Sequence, residues 1–261
     1  MSSLEVNLDS FGASATPHFP REECPVCLDS LPHSSTNTSH PYTHQVCCGK
    51  KLCFACYFEY NLTNNNACAL CRVPTPTSRQ EVIQRGNARI IQGDTEAMLV
   101  RGIELQRGLN GMDVELMQAF ELFVKGANGG NVECLHEVAL ALLQGNLGVN
   151  PDYQLGLEYL SLIAEEYKHP SANLTLGTMS EAAARNNNCN DHYQMAINYY
   201  INAAEYGMEL ACTKLRGLYK DGFATKEEFM SSLRKYQSYV ATVKTDKRDE
   251  VAKATNQGKY Y

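Results

Sequence analysis

A small metal-knotted module followed by an all-α helical-repeat solenoid is the architecture this 261-residue sequence predicts. Two observations predict it. Eight of the eleven cysteines crowd between Cys24 and Cys71, and beyond residue 94 a pattern of small residues returns every 37 to 39 positions. With 44% hydrophobic and 20% charged residues the chain reads as globular, and it is long enough for two domains.

The first twenty residues are polar and aperiodic, so residues 1–20 read as a disordered leader. They have neither the basic start nor the apolar run of a signal peptide. No later segment has the ~18 uninterrupted apolar residues of a membrane span, so no membrane partner is expected. A reducing compartment, cytoplasmic or nuclear, follows as the expectation, and there clustered cysteines mean metal rather than disulfides. In such a compartment the acceptor patterns at Asn37, Asn61 and Asn173 stay unglycosylated. The net charge of -6 argues against nucleic acid, which needs a basic footprint.

Residues 21–74 carry the cysteines. Cys24-Pro-Val-Cys27, Cys53-Phe-Ala-Cys56 and Cys68-Ala-Leu-Cys71 each have the two-residue gap that lets both thiolates reach one tetrahedral ion, at roughly 2.3 Å. Adjacent Cys47 and Cys48 supply two more sulphurs, enough for two closed four-ligand sites. A segment of this length cannot bury enough apolar surface to fold alone, so metal supplies much of its folding free energy. Its first loop, residues 31–43, is polar and reads as exposed. The helix-averse run from Pro74 to Ser78 marks a boundary, and residues 75–93 read as a linker and first helix.

Residues 94–225 repeat. Ala97, Cys134, Ala172 and Ala211 align, followed five residues later by Gly102, Ala139, Gly177 and Arg216, and eleven later by Gly108, Gly145, Ala183 and Gly222. Further small-residue columns stand at Ala119, Gly156 and Ala196, and at Ala127, Ala164 and Ala204. The period is that of a helix–turn–helix unit. In the second unit Val132, Leu135, Ala139 and Leu142 share one helix face, and Leu155, Tyr159, Leu162 and Ile163 share the next. Small residues recur where helices approach closely, and the eleventh-position glycine suits the left-handed end of the first helix. No unit covers its apolar face alone, so neighbours stack. The third unit departs from the pattern: Ala183 replaces the turn glycine, and the Asn-rich stretch from Asn186 to Asp191 lengthens its turn. Residues 226–261 read as a C-terminal capping helix and tail, with Phe229, Leu233, Tyr236 and Val240 as its apolar face.

These columns resemble Sel-one-like repeats, a tetratricopeptide-related family, most clearly over residues 196–211. The order of cysteine pairs resembles a RING finger, in which first and third pairs bind one zinc and second and fourth the other. The resemblance implies a small zinc-stabilised RING finger followed by an all-α helical-repeat solenoid, with two structural zinc ions. Site one would be Cys24, Cys27, Cys53 and Cys56. Site two would close with Cys68 and Cys71 plus two ligands from the middle of the motif. The family has Cys-Gly-His there, whereas this chain has Cys48-Gly49-Lys50. Cys47 with Cys48 is the favoured completion, an all-cysteine variant, and His44 is the rival ligand. Val26, Leu28, Leu52, Phe54 and Leu70 would form the module's core. Lys50 and Lys51 would offset the charge of the thiolates.

The resemblance further implies a ubiquitin-protein ligase without a covalent nucleophile of its own. Val26 and the groove of Tyr57 and Pro74 would contact the ubiquitin-conjugating enzyme. Arg72 would contact both that enzyme and its ubiquitin, and the solenoid would hold an unidentified protein substrate. The family's usual proline after the seventh ligand is Ala69 here. The competing class is a non-enzymatic adaptor in which both parts are docking surfaces. Cys134 and Cys212 fall in small-residue helix columns and read as core thiols. Cys189 lacks a neighbouring base, and His136, His169 and His192 lack ligand spacing, so no catalytic residue is assigned.

Overall fold

The computed structural model describes residues 6–11, 22–32, 42–63, 66–187 and 189–255, with eleven α-helices and one two-stranded sheet among them. None of these helices is long and apolar enough to cross a membrane. Most of the polar loop before Tyr42, with its Asn37 pattern, lies outside the described residues, as does the tail from residue 256.

The chain divides into two compact units. Unit one comprises Met1–Pro17, His44–Lys51 and Glu59–Ile163, and unit two comprises His18–Thr43, Leu52–Phe58 and Ala164–Tyr261. The cysteine-rich stretch and the helical array each contribute to both.

In the cysteine-rich stretch, β1 (Tyr42–His44) and β2 (Lys51–Cys53) pair as a hairpin, and α1 (Phe54–Leu62) follows directly. Unit one continues through α2 (Arg79–Ile91), α3 (Thr95–Arg107), α4 (Leu116–Asn128) and α5 (Val132–Gln144), and holds most of α6 (Tyr153–Glu165). Three of these starts have a side-chain cap. The Ser78 side chain caps α2, Asp94 caps α3 by accepting from the Glu96 and Ala97 N–H groups, and Asn131 caps α5. Gly108 and Gly145 end α3 and α5 with φ of 62° in both, the left-handed stop expected at the eleventh position. In the third repeat no such residue intervenes at Ala183. There α7 (Pro170–Asn187) runs 18 residues, against 13 for α3 and α5.

The leading small-residue column is buried at all four positions, Ala97, Cys134, Ala172 and Ala211. Its partner column departs at Arg216, which is exposed. Gly102 lies against the Phe123 ring, and at Gly177 a Cβ would come within 2.6 Å of the Tyr200 ring. Replacing Gly177 with alanine is therefore expected to destabilise the protein by about 1–3 kcal/mol through overpacking, a loss that thermal melting measures directly.

Part of the leader is ordered, which corrects the expectation of disorder for residues 6–11. Leu8–Phe11 form a short 3₁₀ turn that touches α4, Val6 and Phe11 are buried, and the Asn7 N–H donates to Asn128 Oδ1 at 2.7 Å. Two apolar residues in a polar segment suffice once a helix surface covers them, and that cover is invisible in local composition. The remainder of the leader lies outside the described residues.

Unit two holds α7, α8 (Asn190–Glu205), α9 (Glu209–Lys220), α10 (Lys226–Val243) and α11 (Asp246–Ala254). Its core gathers Tyr193, Ile197, Tyr200, Leu215 and Leu218 with five buried alanines of α8 and its neighbours. Phe229, Leu233 and Tyr236 of α10 pack onto it, while Val240 packs with Tyr239 and Val243. A capping box between Thr225 and Glu228 starts α10.

Glu181 of α7 sits in this core region. It accepts from the Tyr200 hydroxyl at 2.6 Å and from Arg185 at 3.0 Å, with Lys214 3.5 Å away. Burial would raise its carboxyl pKa, but the Tyr200 hydroxyl and the two cations hold it below the usual range. A lowered folded pKa means stability that is present above the unfolded value, about 4.3, and lost as pH falls through the folded one. The melting-temperature gap between wild type and Glu181→Gln is expected in full at pH 7, should begin to narrow below about pH 4, and should close once pH has passed the lowered folded value. A gap independent of pH would place the effect in packing instead.

Candidate metal centres and their surroundings

Two turns of unrelated sequence fold alike. In Cys24-Pro-Val-Cys27-Leu28, the Cys24 N–H donates to the Asp29 carbonyl at 2.9 Å and the Leu28 N–H to the Cys24 carbonyl at 2.8 Å. In Cys68-Ala-Leu-Cys71-Arg72, the Cys68 N–H donates to Val73 at 2.8 Å and the Arg72 N–H to Cys68 at 3.0 Å. Each turn is closed by one antiparallel bridge, Glu23 with Ser30 and Ala67 with Pro74. Leu28 and Arg72 both have φ of 63°, a left-handed conformation uncommon outside glycine. The same departure at the same place reflects a common demand: a chain that must turn sharply after its second cysteine to aim two sulphurs at one point.

The other two cysteine pairs have their own local causes. Cys48 and Gly49 both donate N–H groups to the Gln45 carbonyl, at 3.2 and 2.7 Å, and Gln45 in turn donates to Lys50 at 2.9 Å. Cys53 and Cys56 lie at the junction of β2 with α1, where the Cys56 N–H points at Cys53 Sγ, 3.4 Å away.

These turns bring the sulphurs of Cys24, Cys27, Cys53 and Cys56 within 4.8 Å of one another, and likewise those of Cys47, Cys48, Cys68 and Cys71. The first tetrad lies wholly in unit two and the second wholly in unit one. A tetrahedral ion with bonds of roughly 2.3 Å needs sulphurs about 3.8 Å apart. Cys27 and Cys53 stand 3.8 Å apart, and Cys47 and Cys71 3.4 Å. Four soft donors converging on a point without an open position fit a closed metal site.

The electrostatics of the tetrads follow from crowding. Burial would raise the Cys24 thiol, yet the backbone N–H groups of Cys27, Cys53 and Val26 bring it down to about 7. For Cys68 the N–H groups of Cys71 and Leu70 overcome burial in the same way, again to about 7. The neighbours move oppositely. Burial, then the adjacent Cys53, pushes Cys56 up to about 12, and Cys27 and Cys47 are pushed up by burial and by the thiols beside them. One thiolate per tetrad is stabilised by backbone dipoles, and further ones repel it. A divalent cation removes that repulsion.

Of the remaining predicted residues, His44 Nε2 lies 3.4 Å from Asp94 Oδ2, outside the sulphur tetrads. Val26 is half exposed and Tyr57 partly buried, both in unit two. Arg72 and Pro74 are exposed and belong to unit one. The Arg72 guanidinium donates to the Tyr60 hydroxyl at 3.2 Å, and the Pro74 carbonyl accepts from Arg85 at 2.6 Å.

One expectation is corrected. Of the expected module core only Leu52 is fully buried, while Val26 and Leu28 are 50% and 71% exposed. The turn that aims the sulphurs inward carries the intervening side chains outward. The Lys51 ammonium, expected to offset the thiolates, pairs with Glu96 of α3 at 3.0 Å. The thiols Cys134 and Cys212 are buried as expected, and burial raises both.

Four residues that shape these surroundings escaped the sequence reading: Tyr60, Arg89, Asp94 and Arg248. Asp94 preceding Thr95-Glu96-Ala97 carries a legible cap signal. Nothing local announces that Arg89 donates to Asp94 at 2.8 Å, or that Arg248 is buried with its guanidinium on the Ser30 carbonyl.

A Sel1 repeat protein from Oxalobacter formigenes is similar over 77% of this chain and 74% of its own length, with 18% identity and a TM-score of 0.50. The helical array has the Sel1-repeat fold. A protective antigen of uropathogenic Escherichia coli strains that displays an SLR fold is similar over 77% of this chain and 47% of its own, with 16% identity and a TM-score of 0.36. No family profile and no curated protein matches the chain.

Proposed function

We propose that the cysteine-rich region is a RING-type zinc finger and that the protein is a ubiquitin-protein ligase whose Sel1 repeats select a protein substrate. One observation carries this reading: the interleaving of the tetrads, in which cysteine pairs one and three converge on one point and pairs two and four on another. A simple zinc knot closes with consecutive pairs. Interleaving instead suits a module that holds several surface turns in fixed register.

Zinc in both sites supplies shape and neutralises the thiolates, and the chain's own residues do the rest. Val26 and Leu28 offer an exposed apolar tip for the conjugating enzyme. Arg72, steadied by Tyr60, offers a planar fork of donors to the enzyme and its ubiquitin. The acyl group passes from the enzyme's cysteine to a substrate amine, breaking the thioester C–S bond and forming an amide, with the thiol as leaving group. Holding the thioester in a reactive geometry lowers that barrier without a nucleophile from this chain.

The Sel1-repeat fold favours a second reading, an adaptor whose helices and finger both dock proteins without catalysis. Incubation with a panel of ubiquitin-charged conjugating enzymes separates the two. The ligase reading expects faster discharge with at least one of them, and no acceleration across the panel leaves the adaptor.

A further inference from the structure

We propose that each metal site clasps a different helical segment: the Cys47–Cys48–Cys68–Cys71 site holds the α2–α3 junction, and the Cys24–Cys27–Cys53–Cys56 site holds α11. This rests on the reading of the two tetrads as metal sites.

The first clasp is built around Asp94, whose side chain is 9% exposed. Its Oδ1 caps α3, accepting from Glu96 and Ala97 at 3.1 Å, while its Oδ2 takes the Arg89 guanidinium from the end of α2 at 2.8 Å. The metal-bearing turn seats on this pair. Gly49 has φ of 71°, and a Cβ there would lie 2.5 Å from Asp94 Oδ2 and collide with Arg89. On either side of it, His44 reaches Asp94 at 3.4 Å and Lys51 reaches Glu96 at 3.0 Å. The turn that aims Cys47 and Cys48 is thus the turn that covers the α2–α3 ion pair. Without the metal only weak thiol contacts, Cys71 to Cys47 at 3.4 Å and Cys68 to Gln45 Oε1 at 3.9 Å, join this turn to Cys68 and Cys71, and the cover is loosened.

The second clasp is Arg248, 2% exposed. Its Nη1 donates to the Ser30 carbonyl at 2.8 Å and to that of Val243, whereas its Nε and Nη2 have no hydrogen-bond partner. Ser30 is the residue whose bridge with Glu23 closes the Cys24–Cys27 turn. The helix that carries Arg248 has nine residues, six of them charged, and so short a helix does not persist on its own. Its order depends on docking, and one of its anchors is a carbonyl positioned by the first metal turn.

Coupling of this kind is reciprocal, so each clasp residue also holds its metal. Hydrogen exchange on the zinc-loaded full chain tests it. Replacing Cys47 and Cys48 with serine should speed amide exchange across residues 86–106 at least tenfold and leave 246–254 as in wild type. Replacing Cys24 and Cys27 should do the reverse. Because a ligand variant can unfold outright, Arg89→Met and Arg248→Met, which keep all eight cysteines, provide the second measurement. Each should speed capture of one zinc by a colorimetric chelator about tenfold and leave the other unchanged. Exchange that is unaltered in both segments, or chelator rates equal to wild type in both methionine variants, overturns the proposal. Metal content by mass spectrometry separates that failure from failure of the metal reading, which predicts two bound ions per chain.

Discussion

Replacing Cys47 and Cys48 together with serine is expected to lower bound zinc from two ions per chain to one, with a large fall in melting temperature. The size of the effect follows from how little else holds this region. Among the residues expected to form its core, Leu52 alone is fully buried, whereas structural zinc binds small modules with about 10–16 kcal/mol of apparent free energy. That is comparable to the whole stability of a typical domain, about 5–15 kcal/mol. Losing one site therefore unfolds the turns that it joins. Its counterpart is His44→Ala, which should keep both ions, since His44 faces Asp94 rather than the sulphurs. Two zincs in the double serine variant, or one in His44→Ala, would reverse the ligand assignment.

The second large effect is expected in ubiquitin discharge. Arg72→Ala should slow it by about 10- to 100-fold, because hydrogen bonds to a charged group contribute about 1.5–3 kcal/mol and each 1.4 kcal/mol is a factor of ten. Arg72→Lys should not restore the rate, since a point charge cannot replace a planar fork of donors. Val26→Ala acts at the earlier step. Removing two methylene-sized groups from a contact costs about 1.5 kcal/mol, so affinity for the conjugating enzyme should fall roughly tenfold while the rate at saturation changes little. Discharge indifferent to both residues would falsify the ligase mechanism while leaving the metal sites intact.

The helical repeats were legible because their causes are local. Glycine at positions 108 and 145 stops a helix wherever it occurs, and small residues at a fixed period state where helices touch. Ala183 marked the third repeat as irregular, but where the Asn-rich stretch suggested a longer turn it is the helix that lengthens, α7 running on through Ala183 to Asn187. The cysteine pairs were legible through spacing, since a two-residue gap has one geometric use. Val26 and Leu28 misled because an apolar residue between ligands looks like core by composition. Only the left-handed turn at Leu28 reveals that it points outward.

By itself the sequence determined the repeat period, the helix caps and stops, and which eight sulphurs are available, because these depend on residues a few positions apart. The tertiary structure decided how the sulphurs partition and what they hold. It placed Arg248 on Ser30 across 218 positions of chain, set Gly49 against Arg89 and Asp94, and paired Lys51 with Glu96. A buried guanidinium, a glycine with no room for a Cβ and a half-buried ammonium take their roles from neighbours remote in sequence. The packing that selects those neighbours has no local signature.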